Sequence, residues 1–156
     1  MPAKETRVPH DSLERFVSRI FEQGGGCPPE DAKTIAQCLV QTNLWGIDGH
    51  GVIRVPIYLE RFENGAMNNR PKVRRVRAEG GLEVLDADNG AGYIAGRAAM
   101  QRAIELARDK AIAAVGIINS NHCGATALYA RMAAEAGLVG FAMTYVAPNL
   151  SMPGGK

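Results

Sequence analysis

The first third of the chain repeats its apolar residues at intervals of three and four, which is the pattern of α-helices with one buried face. A first helix is expected to begin at Asp11 or Ser12, residue types that cap helices, and to end at the glycines 24–26. A second helix is expected to begin at Pro28-Pro29, and a third to cover residues 56–63. The positions expected to face a core are Leu13, Phe16, Val17, Ile20 and Phe21, then Ala32, Ile35, Ala36, Leu39 and Val40, then Tyr58, Leu59 and Phe62.

Beyond Pro71 the pattern changes to that of strands alternating with helices. The predicted elements are a hairpin of two strands at 72–78 and 82–86, a helix at 93–109, a strand at 112–118, a helix at 125–136 and a strand at 138–144. The run 112–118 is almost entirely apolar, as in a strand buried on both faces. The sequence therefore predicts an α/β protein in which a helical segment, residues 1–70, precedes a strand-rich part, residues 71–156.

Composition narrows the function classes. Apolar residues make up 46% of the chain and charged residues 22%, as in ordinary globular proteins. The net charge is only +2, which gives no basic face for nucleic acid. No apolar run approaches the ~20 residues of a membrane span, and the N-terminus lacks the apolar stretch of a signal peptide. The three cysteines form no CxxC pair, so the sequence predicts neither a disulfide framework nor a metal site. Together these features predict a soluble protein of the reducing cytoplasm.

One local charge cluster departs from this balance. Its members are Arg70, Lys72, Arg74, Arg75 and Arg77, mostly on one face of the first predicted strand. Because no aromatic residues are interleaved for base stacking, a solvated strand face or a charged sheet edge explains the cluster better than a nucleic-acid groove.

A glycine set at residues 90–96 follows a predicted strand and opens a predicted helix. Such a turn can bring backbone amides close to a phosphate at the positive end of a helix. The spacing differs by one residue from the G-x-G-x-x-G pattern, and the preceding strand belongs to an antiparallel hairpin. Two interpretations stay open here, a phosphate-binding turn and a plain turn between a strand and a helix.

His122 is the first candidate catalytic residue. It lies in the polar run NSNHCG, residues 119–124, between an apolar strand and the next helix. Loops at the carboxyl ends of strands carry reacting groups in many α/β proteins, and a histidine can exchange a proton near neutral pH. From the residues alone, a structural histidine is an equal alternative. The adjacent Cys123 is either a thiolate nucleophile or a small buried thiol.

His50 and Arg54 form the second concentration of polar groups. Gly49 and Gly51 flank His50, and Arg54 can present the planar two-donor fork that matches a carboxylate. Pro56 disfavours a helix through the preceding residue, so a shared helical face is not assumed. An ordinary surface loop is the alternative.

These residues resemble the motifs of the type-2 malate/L-lactate dehydrogenase family, which also includes ureidoglycolate, sulfolactate and cyclic-imino-acid oxidoreductases. The matching segments, in order, are WGIDGHGVIR at 45–54 with Tyr58, Arg61 and Asn64-Gly65, then 119–124, 133–140, and Pro148 through Pro153-Gly154-Gly155. The resemblance extends from about Ser12 to the last residue. Because family members are about twice as long, the chain resembles their N-terminal half, and its ending in a loop composition suggests an incomplete sequence.

The resemblance implies an NAD- or NADP-dependent oxidoreductase that interconverts 2-hydroxy acids and 2-keto acids or related imines. It implies a nucleotide-binding fold other than the doubly wound one, and a homodimer. His122 matches the family's acid/base, and His50 and Arg54 match residues of the substrate pocket. The positions that match the cofactor site are Thr144, Pro153, Gly154 and Gly155.

One residue departs from the family pattern, because many members carry serine where this chain has Gly49. The missing hydroxyl leaves the identity of the substrate open. Two other functions remain as alternatives at this stage, a non-catalytic fragment of such an enzyme and a nucleotide-binding module built on residues 90–96.

Overall fold

A computed structural model describes residues 7–145 of the chain. Its helices are α1 (His10–Arg19), α2 (Pro29–Leu44), α3 (Val55–Glu63), α4 (Gly92–Lys110) and α5 (Ala127–Glu135), and its strands are β1 (Arg74–Glu79), β2 (Leu82–Asp86) and β3 (Ala114–Ile118). A π-helical turn, Ile20–Gly24, extends α1, and two short 3₁₀ turns join α2 to α3.

Helices α1 to α3 pack their apolar faces into one core. The buried side chains of this core include Val17, Phe21, Ile35, Leu39, Tyr58 and Phe62. The three predicted helices are confirmed, with two differences at the first. It begins at His10 behind Pro9, whose fixed φ suits a helix start, and Asp11 lies in its first turn. Phe16 is 55% exposed, so the prediction that it faces the core is wrong.

The three strands form one sheet in the order β1-β2-β3. The predicted hairpin is confirmed, with β1 antiparallel to β2, and β3 is parallel to β2 after the crossover through α4. The cationic side chains of β1 are exposed and form ion pairs with carboxylates of the hairpin: Arg74 with Asp86, Arg75 with Glu83, and Arg77 with Glu79. The charged sheet edge is the interpretation that this arrangement supports.

The predicted strands at 112–118 and 138–144 differ from what the structure shows. The strand expected to be buried on both faces is β3, but its residues Ile117 and Ile118 are 36% and 50% exposed. Residues 138–144 form no strand, and Val139, Phe141 and Met143 are more than four-fifths exposed. A strand needs a hydrogen-bonded neighbour, and within residues 7–145 no neighbour lies beyond β3.

The mixed α/β class is confirmed. No helix among the described residues is long and apolar enough to cross a membrane. The boundary between a segment 1–70 and a segment 71–156 stays a prediction.

Candidate active site

The loop of residues 119–124 leaves β3 and crosses the N-terminal end of α4, where it places His122. The Asn89 amide donates a hydrogen bond to the Asn119 carbonyl (2.8 Å), and the side-chain amide of Asn121 donates to the Asn89 side-chain oxygen (2.8 Å). Asn89 and Asn119 both have positive φ, at 55° and 52°, which asparagine tolerates better than most residues. The polar run after the apolar strand therefore builds the loop that carries the histidine.

Two glycines at the start of α4 make room for their neighbours, Gly92 for this loop and Gly96 for a ring of α5. A Cβ atom on Gly92 would collide with the Asn121 carbonyl, and one on Gly96 would lie 2.5 Å from the Tyr129 ring. The Gly92 amide donates to the His122 carbonyl (3.0 Å), so it is not available to a phosphate oxygen. Of the two interpretations of this glycine set, the structure supports the plain turn between a strand and a helix.

The His122 ring lies among two tyrosines and a second histidine. Its Nδ1 atom is 2.6 Å from the Tyr58 hydroxyl oxygen, which is 3.2 Å from the Tyr93 hydroxyl oxygen. The His50 ring stacks on it, with centroids 5.4 Å apart and planes 22° apart. Because Tyr58 occupies Nδ1, Nε2 is the ring nitrogen left to exchange a proton with a ligand.

The surroundings favour the neutral form of this imidazole. Burial, together with the nearby Arg54, His50 and Arg61, lowers the pKa of His122 from its ordinary value to about 4. Burial also raises the pKa of the Tyr58 hydroxyl, which keeps the phenol protonated. At neutral pH the site therefore presents an uncharged base near a guanidinium.

The second candidate segment consists of the two 3₁₀ turns, Asp48–His50 and Val52–Arg54. The Nε atom of Arg54 donates to the Gly49 carbonyl at 2.6 Å, which fixes the stem of the side chain. Its two Nη groups form no hydrogen bond with any residue in the described part of the chain. The stacking of His50 on the candidate acid/base distinguishes this segment from an ordinary surface loop, and the free guanidinium edge can receive a carboxylate.

Of the four predicted cofactor residues, Thr144 alone lies among the described residues. Thr144 is exposed, and its hydroxyl lies 3.5 Å from the Tyr145 carbonyl. Pro153, Gly154 and Gly155 lie outside the described residues. Their roles stay predictions.

Cys123 packs against the first turn of α4, since a Cβ atom on Gly92 would lie 2.7 Å from the cysteine Cβ. This placement favours a partly buried thiol over a nucleophile. Within residues 7–145 no group of three or more His, Cys, Asp or Glu side chains is placed to hold a metal ion.

The hydroxyl contacts of Tyr58 and Tyr93 belong to the candidate site and were not predicted from the sequence. The apolar period marked Tyr58 as a core residue, and its ring is indeed buried. The available signal was the hydroxyl itself, because a buried tyrosine almost always directs its hydroxyl to a polar partner. Here that partner is the candidate acid/base.

Comparisons with known proteins agree with the resemblance in the motifs. The family model described as malate/L-lactate dehydrogenase matches residues 8–156. The chain is 40% identical over 149 residues to a malate dehydrogenase of Pyrococcus abyssi, covering 96% of this chain and 41% of that protein. It is 34% identical over 149 residues to a ureidoglycolate dehydrogenase (NAD(+)) of Escherichia coli O157:H7, covering 96% and 42%.

The fold agrees as well. The solved structure of malate dehydrogenase from Pyrococcus horikoshii OT3 superposes with a TM-score of 0.81 at 40% identity, over 85% of this chain and 38% of that one. The chain thus spans about two fifths of the length of the relatives it matches. With the motifs, the fold and the family model in agreement, the chain belongs to the malate/L-lactate dehydrogenase family of oxidoreductases.

Proposed function

We propose that this chain contributes the substrate side of an NAD- or NADP-dependent oxidoreductase that interconverts a small 2-hydroxy acid and a 2-keto acid. The observation that carries the proposal is the hydrogen bond of 2.6 Å between Tyr58 and His122 Nδ1, which leaves Nε2 for the substrate beside His50 and Arg54. Family membership supports the reaction class.

His122 moves the proton. For oxidation, the neutral ring donates a hydrogen bond from Nδ1–H to the Tyr58 oxygen, accepts the proton of the substrate hydroxyl at Nε2 and becomes the imidazolium. For reduction, the imidazolium donates from Nε2 to the oxygen that was the carbonyl. In both directions the Tyr58 oxygen accepts a hydrogen bond from Nδ1–H, and the Tyr58 hydroxyl donates a hydrogen bond to the Tyr93 oxygen (3.2 Å). This arrangement keeps the reacting nitrogen fixed while the charge of the ring changes.

Arg54 binds and orients the substrate carboxylate. With Nε held by the Gly49 carbonyl, the two Nη groups remain as a planar pair of donors. A bound carboxylate offsets the positive charge that helps to lower the pKa of His122. Binding of a keto acid therefore favours the imidazolium that its reduction requires.

The residues present fit the substrate half of the site better than the cofactor half. A nicotinamide cofactor, when bound, supplies or accepts the hydride. The donor set of His122, Arg54 and Tyr58 matches the remaining needs of that chemistry, a proton and a carboxylate partner. The Gly92 amide is already occupied, so we assign no phosphate contact to it. On the family resemblance alone, we propose that the cofactor contacts Thr144, Pro153, Gly154 and Gly155. The homodimer and the cytoplasmic location are proposed on the same ground.

Turnover of the nicotinamide tests the proposal. The folded protein is expected to oxidise NADH or NADPH in the presence of at least one small 2-keto acid. The reaction is measured as the loss of absorbance of the reduced cofactor. A panel of keto acids and cyclic imines, each with both cofactors, identifies the substrate class. Absence of turnover with every pair, in a folded preparation that binds neither cofactor, would contradict the proposal and favour a non-catalytic fragment.

A further inference from the structure

Asn43, in the last turn of α2, holds both 3₁₀ turns of the substrate segment. Its Oδ1 atom accepts a hydrogen bond from the Val52 amide at 2.8 Å, at the start of the second turn. Its Nδ2 atom donates to the Asp48 carboxylate at 2.5 Å, at the start of the first turn. One side chain therefore fixes where each turn begins.

The fit around this amide is close. Gly51 joins the two turns, and a Cβ atom at that position would collide with the Asn43 side chain. The lack of a side chain at Gly51 lets the Asn43 amide reach both partners. The backbone bonds within the turns, from the His50 amide to the Ile47 carbonyl and from the Arg54 amide to the Gly51 carbonyl, are both 3.0 Å long.

The chemistry of the two partners requires an amide. Val52 offers an N–H donor and Asp48 offers a carboxylate acceptor, so the side chain between them must both accept and donate. An aspartate at position 43 keeps the acceptor for Val52 but places a second carboxylate against Asp48. A leucine provides neither group.

We propose that Asn43 is a positioning residue for substrate recognition, which sets His50 and Arg54 at the spacing that the carboxylate requires. The proposal rests on the proposed function of Arg54, while the role of Asn43 in ordering the two turns is independent of it. Asn43 does not touch the reacting atoms, so it acts through the geometry of the segment.

The test uses a swap of donor and acceptor. Asn43→Leu and Asn43→Asp are each expected to raise the KM for a 2-keto acid by roughly 10- to 100-fold, with a smaller change in kcat, because misplacement of a binding group costs about that much. The double variant Asn43→Asp with Asp48→Asn restores one acceptor and one donor, and is expected to recover most of the lost KM. Recovery of this kind distinguishes the hydrogen-bond pair from a general loss of packing.

Asn64→Ala is the matched control. Asn64 lies directly after the last residue of α3, and its side chain likewise accepts a backbone hydrogen bond, from the Ala66 amide at 3.0 Å. Its loss is expected to leave the KM unchanged. An unchanged KM in Asn43→Leu, a double variant no better than Asn43→Asp, or an equal effect of Asn64→Ala would each overturn the proposal.

Hydrogen exchange separates this proposal from the proposed function. In Asn43→Leu the Val52 amide loses its acceptor, so it is expected to exchange faster than in the wild type, while amides inside α2 keep their rates. This measurement needs no substrate. Turnover absent in the wild type, with selective loss of protection at Val52 in the variant, would refute the dehydrogenase and retain the ordering role. Unchanged protection at Val52 would overturn the ordering role itself.

Discussion

The two loops that carry the stacked histidines are built differently. The loop of His122 is bonded along its backbone to the turn before α4, and its histidine has a buried tyrosine as hydrogen-bond partner. The segment of His50 follows α2 as two short turns, has exposed residues at Asp48 and Gly49, and is bonded at the start of each turn by the Asn43 side chain. The difference matches the two tasks proposed for them, because a proton donor must keep its geometry through the reaction whereas a recognition segment must admit the substrate.

Removal of the His122 imidazole is expected to have the largest effect on activity. His122→Ala is expected to lower kcat by about 10²–10⁴-fold, the usual range for a general acid/base, with little change in cofactor affinity. Steady-state kinetics in both directions measure the effect, and titration with the reduced cofactor checks binding. His50→Ala is expected to act mainly on KM. Near-normal turnover in His122→Ala would remove His122 from the mechanism, and equal losses of kcat in both variants would erase the distinction between the two loops.

Arg54→Met tests the recognition segment. The loss of a charge-assisted pair is expected to cost about 1.5–3 kcal/mol in kcat/KM on a 2-keto acid. The corresponding neutral amide has no charge to pair, so it is expected to lose much less. Arg54→Lys recovers only part of the activity, because an ammonium lacks the planar fork. Equal losses on the acid and on the amide would mean that Arg54 only supports the loop.

Tyr58→Phe tests the hydrogen bond that holds the His122 ring. It removes the partner of His122 Nδ1 and is expected to lower kcat by about tenfold, the effect of one hydrogen bond of moderate strength. Tyr93→Phe, one bond further away, is the matched control and is expected to have a smaller effect. The pH profile of kcat measures the coupling, because loss of the hydrogen bond at Nδ1 is expected to shift the pKa of the ring more than the matched loss of a hydroxyl in Tyr93→Phe. An unshifted profile in Tyr58→Phe would contradict the role given to this hydroxyl.

Much of the helical part could be predicted from the sequence because its signals are local. The apolar period of α2 and α3 and the prolines at their starts fix both helices. The Gly80-Gly81 pair likewise marks the hairpin of β1 and β2. Phe16 follows the same period yet is exposed, since a periodic position shows only that a residue can face a core, while the neighbours of α1 decide whether it does.

The site could be predicted only in part. The polar residues 119–124 are out of place after an apolar strand, and this local contrast pointed to His122. The contact with Tyr58 joins residues far apart in sequence, so no local pattern encodes it. The exposure of β3 and of residues 138–144 could not be predicted for the same reason. The burial of a strand depends on the elements that pack beside it, and the sequence of the strand does not specify them.

The remaining expected effect is on stability in acid. The folded protein holds the pKa of His122 at about 4, below the value of the unfolded chain, so between these values the unfolded state binds a proton that the folded state does not. The contribution of His122 to stability is therefore complete above about pH 6.5 and is lost as the pH falls toward 4. Urea unfolding of the wild type and of His122→Gln at pH 7 and pH 5 measures it, and the variant is expected to lose less stability over that interval. NMR titration of the ring gives the direct check. A midpoint near 6.5 for His122, with equal acid losses in both proteins, would show that burial does not hold this imidazole neutral.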